Sequence, residues 1–215
     1  IHEHSIDFEM PTNGQLFASE AQTLSNRRLA RKLSADLRVK ACADVVNAEP
    51  DESWLIWCDL NAEGDALTKA IDGAIQVAGA DDIDAKEKRL IDFAEGRARV
   101  LVSKPSIAGH GLNFQHAARM AFVGVTDSYE AYYQAVRREW RFGQTRPVDV
   151  HIFASKAEGA VLSNIKRKES EAAEMADQLS AETREAVIAN VIGLTRETNE
   201  YNAIKPVSVP AWLKG

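Results

Sequence analysis

Trp54-Leu55-Ile56-Trp57-Cys58 is an unbroken apolar run, closed by Asp51, Glu52 and Ser53 on one side and Asp59 on the other. A run this short, with polar bounds, reads as a strand covered on both faces of a sheet. Working outward, the signature recurs. Arg99-Val100-Leu101-Val102 reads as a strand, as does Arg119 to Val125, with Ile75-Gln76-Val77 a further short one. Val148, Val150 and Ile152 alternate with Asp149 and His151, which predicts a last strand with one wetter face. Helical stretches lie between: residues 62–72 with Leu67, Ala70 and Ile71 apolar, and a segment opened by Asp84, with Glu87 three on, that carries Leu90, Ile91 and Ala94. Residues 128–141 form another, ended by Gly143 and by Pro147 beyond. Strands alternating with helices predict βαβ units, hence an α/β domain of three layers around a mostly parallel sheet.

The flanks read differently. Residues 1–18 show no period and carry the turn cluster Pro11-Thr12-Asn13-Gly14, the pattern of an N-terminal arm. Ser19 with Gln22 three on is a capping-box signature opening a flanking helix over 19–48, where Leu29, Leu33, Leu37, Ala41 and Val45 recur every four residues as an apolar stripe. Arg27, Arg28, Arg31, Lys32 and Arg38 lie between them and read as a solvated face. Glu49-Pro50 ends that helix. The α/β domain then occupies 50–155, and 156–215 is a charged helical extension and tail, with an N-cap at Ser180 splitting its helix and Pro206 and Pro210 loosening its end.

Composition narrows the function classes. The chain has 215 residues, 45% of them hydrophobic, with a net charge of −6 that excludes a wholly basic nucleic-acid coat. No apolar run approaches the roughly 20 residues that span a bilayer, so no membrane partner is expected. Two cysteines, Cys42 and Cys58, make no disulfide framework, and a reducing, cytoplasmic setting is the default expectation. A chain opening on Ile1 reads as a piece excised from something longer.

Several motifs fail. Leu55 to Asp59 has the outline of a Walker B strand, but no GxxxxGK[ST] loop occurs to cradle phosphates, so Asp59 reads as a strand-end residue. Gly109-His110-Gly111 begins like a dinucleotide fingerprint, but Phe114 stands where the third glycine belongs, which disfavours a Rossmann-like small-molecule enzyme. The five histidines and two cysteines have no metal spacing, and no metal site is expected. Two stretches are informative. Gln134 to Pro147 (QAVRREWRFGQTRP) holds four arginines and no lysine inside an acidic chain. On a helix Gln134, Arg138 and Arg141 would share one face, and side-by-side guanidiniums make sense facing a polyanion, whose phosphate oxygens match their forks. Lys104 to Gln115 (KPSIAGHGLNFQ) follows a strand, so it is expected at that strand's carboxyl end, where open α/β sheets bind ligands.

Together these stretches resemble superfamily-two helicases: residues 104–115 look like motif V and residues 134–144 like motif VI. The likeness is greatest to the Swi/Snf-type branch, whose motif VI reads Q-A-x-x-R-x-x-R-x-G-Q, and the wording resembles helicases encoded by phages and prophages. It covers residues 50–155. The resemblance implies the second RecA-like domain of a motor whose first domain, the partner, supplies the Walker loop and magnesium ligands for ATP and Mg2+. Arg138 and Arg141 would match the arginine fingers, with Gln134, Gly109, Gly111 and Asn113 at the ATP cleft. Lys104 and Ser106 would face nucleic acid, with DNA the expected track; their wording departs from the remodeller pattern. The chain alone should not hydrolyse ATP. The alternative is a non-catalytic RecA-like module that binds nucleic acid or protein through its arginine face.

Overall fold

The computed structural model describes residues 1–8, 24–108, 113–124 and 128–191. In order these form β1 (His2–Ile6), α1 (Leu24–Leu33), α2 (Ala35–Ala48), β2 (Trp54–Cys58), α3 (Asn61–Ala70), β3 (Ala74–Val77) and α4 (Ile83–Ala94). There follow β4 (Val100–Ser103), α5 (Pro105–Ala108), β5 (Arg119–Val123), α6 (Tyr129–Val136), β6 (Asp149–Ser155), a 3-10 turn over Lys156–Glu158 and α7 (Gly159–Val191). The strands make one sheet in the order β1-β6-β5-β2-β4-β3, with every pairing parallel.

Alternation along β2 builds the three layers, because successive side chains point to opposite faces. Leu55 and Trp57 join Phe93, Leu101, Phe114, Met120, Phe122, Tyr132, Val161 and Ile165, the core beneath α4, α6 and α7. Trp54, Ile56 and Cys58 join Val39, Cys42, Val46, Leu67, Val102, Val123 and Phe153 beneath α2 and α3. The α/β three-layer, parallel-sheet expectation holds.

Several sequence expectations are corrected. The supposed arm contains a strand: His2–Ile6 pairs with β6 in the register His2↔His151 to Ile6↔Ser155 and forms the sheet edge. The Ser19–Gln22 capping box lies outside the described residues. The leucine stripe is not the packed face: Leu29, Leu33 and Leu37 are each nearly half exposed, while Ala30, Ser34, Arg38, Val39, Cys42 and Val46 are buried. Steps of four residues advance the face by about 40° each on a 3.6-residue turn, so such a stripe spirals away from its contact. The fourth helix is capped by Asp82, whose carboxylate accepts from the Ala85 amide at 2.8 Å, rather than by Asp84. Ser180 lies inside α7 and does not divide it. The sheet-bearing compact unit spans Ile1–Glu169, so α2 and the first turns of α7 belong to the core; Ser170–Gly215 form a second unit. Among the described residues no helix is long and apolar enough to cross a membrane.

Two of the arginines read as a solvated face, Arg31 and Arg38, also need correction. Arg38 is fully buried, and its Nη2 donates to Glu63 Oε1 at 2.7 Å. Arg31 donates to Asp59 Oδ2 at 2.7 Å and to Glu158 Oε1 at 3.1 Å. The carboxylates are themselves held: Glu63 accepts from the amides of Asp59 and Leu60, and Glu158 from the amide and hydroxyl of Ser155. This buried cluster ties α1 and α2 to the carboxyl ends of β2 and β6. At the end of β5, Gly124 (φ +79°) sits so close that an added Cβ would lie 2.6 Å from Arg38 Nη1.

Candidate functional site

The two informative stretches meet, but not as a single helical face. The sixth helix starts at Ser128, whose hydroxyl caps the Ala131 amide, and stops at Val136; Arg137 to Glu139 form a turn. Gln134 is therefore on the helix and exposed, whereas Arg138 and Arg141 sit on the irregular chain beyond it. That chain is fastened to the segment leading into β5. The Phe114 amide donates to the Arg138 carbonyl at 3.1 Å. Gln144 Nε2 donates to the carbonyls of Gln115 and Ala117, each at 3.0 Å, and reaches Glu139 O at 3.4 Å. Gln115 Nε2 donates to the Phe142 carbonyl, and Gln115 itself is oriented by Asn113 at 3.2 Å. Gly143 turns the chain at φ +97°, a conformation favourable to glycine.

This knot lies at the amino-terminal end of the sheet. The Asp149 amide, opening β6, donates to Ala118 O at 3.0 Å. Arg119 donates to Glu49 at 2.9 Å and to Asp149 at 2.6 Å, and Arg146 grips both oxygens of Glu52 at 2.6 and 2.7 Å. Lys104 and Ser106 follow the carboxyl end of β4, so the structure separates them from Asn113 and the arginine turn. Gly109 and Gly111 lie outside the described residues.

The charge pattern of the turn is distinctive. Arg138 is 7% exposed, and burial, followed by the adjacent Arg141 guanidinium, holds it below the ordinary guanidinium value. Arg141 is exposed. Glu139, between them in sequence, is fully buried, and burial pushes its carboxyl well above the usual carboxylate range. Neither Glu139 oxygen has a hydrogen-bond partner among the described residues. Phosphate oxygens are the chemical complement of paired guanidinium forks. Gln115 was missed by sequence reasoning. Its only signal was an amide in the segment before a strand, able to cap the carbonyls of a distant turn. Among the described residues no group of three or more His, Cys, Asp or Glu side chains is placed to hold a metal.

Residues 37–143 match the helicase conserved C-terminal domain family. This stretch is similar to a helicase C-terminal domain. The fold agrees with solved structures of such domains. The C-terminal part of the Fun30 ATPase domain superposes with a TM-score of 0.53 at 17% identity, over 60% of this chain and 44% of that one. Saccharomyces cerevisiae Dbp5 bound to RNA and ADP BeF3 gives 0.55 at 15% identity, over 62% and 36%. The isolated C-terminal domain of the DEAD-box protein Dbp5 gives 0.52 at 16%, over 62% and 79%. The chain thus spans less than half of the Fun30 fragment and of the RNA-bound Dbp5 chain. No curated protein matches the sequence.

Proposed function

We propose that the chain is the second motor domain of an ATP-driven helicase or translocase of the Swi/Snf-type branch, of phage or prophage type and acting on DNA in the cytoplasm. The observation that carries this reading is the spacing of Gln134, Arg138, Arg141 and Gln144, with the two arginines on a turn whose backbone is fixed by Gln115 and Gln144. Arg138 and Arg141 act as arginine fingers: they neutralise charge developing on the γ-phosphate of ATP bound to an upstream RecA-like half, which also holds Mg2+. Gln134 and Asn113 border that cleft, where the resemblance also assigns Gly109 and Gly111. Lys104 and Ser106, at the carboxyl end of β4, face the nucleic-acid track. The family likeness of residues 37–143 supports the motor role, and the Q-A-x-x-R-x-x-R-x-G-Q spacing supports the branch. Without a GxxxxGK[ST] loop in its sequence, this chain by itself turns over no ATP.

The test is phosphate release, with and without DNA, from the chain joined to its upstream half. In the Arg138→Ala variant the DNA-stimulated rate should fall by roughly 10³ to 10⁵, about 4 to 7 kcal/mol of barrier, while ATP still binds. Unchanged turnover would transfer the arginine face to a non-catalytic binding module.

A further inference from the structure

The arginine turn is anchored at its exit as well as along its backbone. Arg146, two residues past Gln144, takes part twice. Its amide donates to Gln144 Oε1 at 2.9 Å. With the oxygen end of that carboxamide engaged, Nε2 is the end left for the carbonyls of Gln115, Ala117 and Glu139. Its guanidinium Nη2 meets both carboxylate oxygens of Glu52, at 2.6 and 2.7 Å. That hydrogen bond is the first cause holding the Glu52 carboxyl below its ordinary range. Pro147 follows, and a residue before proline is biased to extended backbone, which stiffens the arm between the two contacts.

Glu52 belongs to the acidic turn between α2 and β2, which is part of the frame of the sheet. Three residues earlier Glu49 accepts from Arg119, which opens β5 and also reaches Asp149, the first residue of β6. Two arginines, one from the sheet and one from the exit of the arginine turn, therefore end on the single segment 49–52. An ion pair as open to water as Arg146–Glu52, with side chains 47% and 27% exposed, adds little to folding stability. What it can fix is position. We propose that the Arg146–Glu52 pair is a positioning clamp: it ties Gln144, and through Gln144 the turn that carries Arg138 and Arg141, to the amino-terminal end of the sheet. Arg146 and Glu52 act through Gln144, not on the nucleotide. This rests on the arginine-finger reading and extends it from the fingers to what aims them. Misplacing a catalytic group by about 1 Å costs on the order of 10² in rate, so slack in the clamp is read in turnover rather than in melting.

The experiment measures DNA-stimulated phosphate release and melting temperature on the protein carrying both motor halves. Arg146→Gln and Glu52→Gln should each lower kcat about tenfold, with KM for ATP and the melting temperature little changed. The double variant should lose no more than either single one, because the same contact is removed in all three. Arg146→Lys should keep most of the rate, since a single nitrogen makes both contacts. The clamp is overturned if kcat stays at the wild-type value in both single variants, if their losses multiply in the double variant, or if Arg146→Lys is no better than Arg146→Gln. A melting temperature that falls in step with kcat also overturns it, in favour of a plain structural brace. Failure of the arginine-finger reading shows elsewhere, in Arg138→Ala leaving turnover unchanged. Failure of the clamp alone leaves Arg138→Ala inactive and Arg146→Gln fully active.

Discussion

At the carboxyl ends of β2 and β6, Arg38 and Arg31 face Glu63, Glu158 and Asp59. At the amino end of β5, Arg138 lies beside Arg141 and next to a carboxyl that favours its neutral form. Both clusters bury a guanidinium, and both come from arginine-rich segments of helical spacing. The difference lies in what fixes them. A buried guanidinium matched by carboxylates reached across 25 and 127 residues is structural, because its desolvation is offset within the fold. The turn that carries Arg138 and Arg141 is fixed through its backbone by Gln115 and Gln144, and the finger reading assigns its guanidiniums to phosphate.

The widest break in that comparison is a crossed pair of variants. Arg138→Ala should abolish most DNA-stimulated turnover, by the roughly 10³ to 10⁵ given above, with a melting temperature close to wild type. Arg38→Ala should cost about 3 to 5 kcal/mol in urea unfolding, because it leaves Glu63 buried and uncompensated. If Arg138→Ala unfolds the domain while Arg38→Ala does not, the two assignments are reversed.

Much of the fold was legible because strand cores announce themselves locally. The run at Trp54 and the hydrophobic residues of 99–102 and 119–123 needed no distant information, and β-α alternation supplied the topology. The solvated reading of Arg31 and Arg38 failed because their carboxylates are remote in sequence and nothing local signals them. The edge strand β1 failed for a related reason: His2 and His4 share a face that holds no apolar side chain at those two positions, and they pack against His151 and Phe153. For the site, residue types and spacing identified the arginines. Their presentation depends on where α6 stops and on two glutamine side chains, which periodicity does not encode.

Those glutamines hold the turn from outside the guanidiniums. Gln144→Ala removes the donor to three carbonyls and the acceptor of the Arg146 amide, at roughly 0.5 to 1.5 kcal/mol for each hydrogen bond. As a positioning residue it should lower kcat by about tenfold or more, with KM for ATP little changed. In an Arg138→Ala background the same substitution should add nothing, since it acts through that arginine. Equal losses in both backgrounds would make Gln144 a general structural brace.

Next in size is the buried carboxyl beside the arginines. The folded pKa of Glu139 lies above its unfolded value near 4.3, so between the two the folded state holds the extra proton. Stability should therefore fall as pH rises through that window, with a limiting slope of about 1.4 kcal/mol per pH unit. Glu139→Gln keeps the neutral shape and should flatten the slope in urea midpoints measured from pH 4.5 upward. Parallel curves for the variant and wild type would show that Glu139 is ionised in the fold.

The smallest effect has the opposite sign and comes from the sheet edge. His151 is pushed down to about 4, chiefly by burial and then by His2 and His4, with Asp149 opposing and Arg119 adding to the depression. His4 Nε2 lies 3.0 Å from His151 Nδ1, and His2 is hydrogen-bonded to Asp149 at 3.1 Å. Because the folded value is below the unfolded one near 6.5, this contribution is intact above pH 6.5 and is lost as pH falls toward 4. The loss should be local, read as lower amide protection factors in β1 at pH 5 than at pH 7, with His151→Gln reducing that change. Glu139→Gln should leave the β1 response untouched. If it removed the acid-side loss as well, the arginine turn and the histidine edge would form one titrating system, and the separation drawn between the site and its scaffold would fail there.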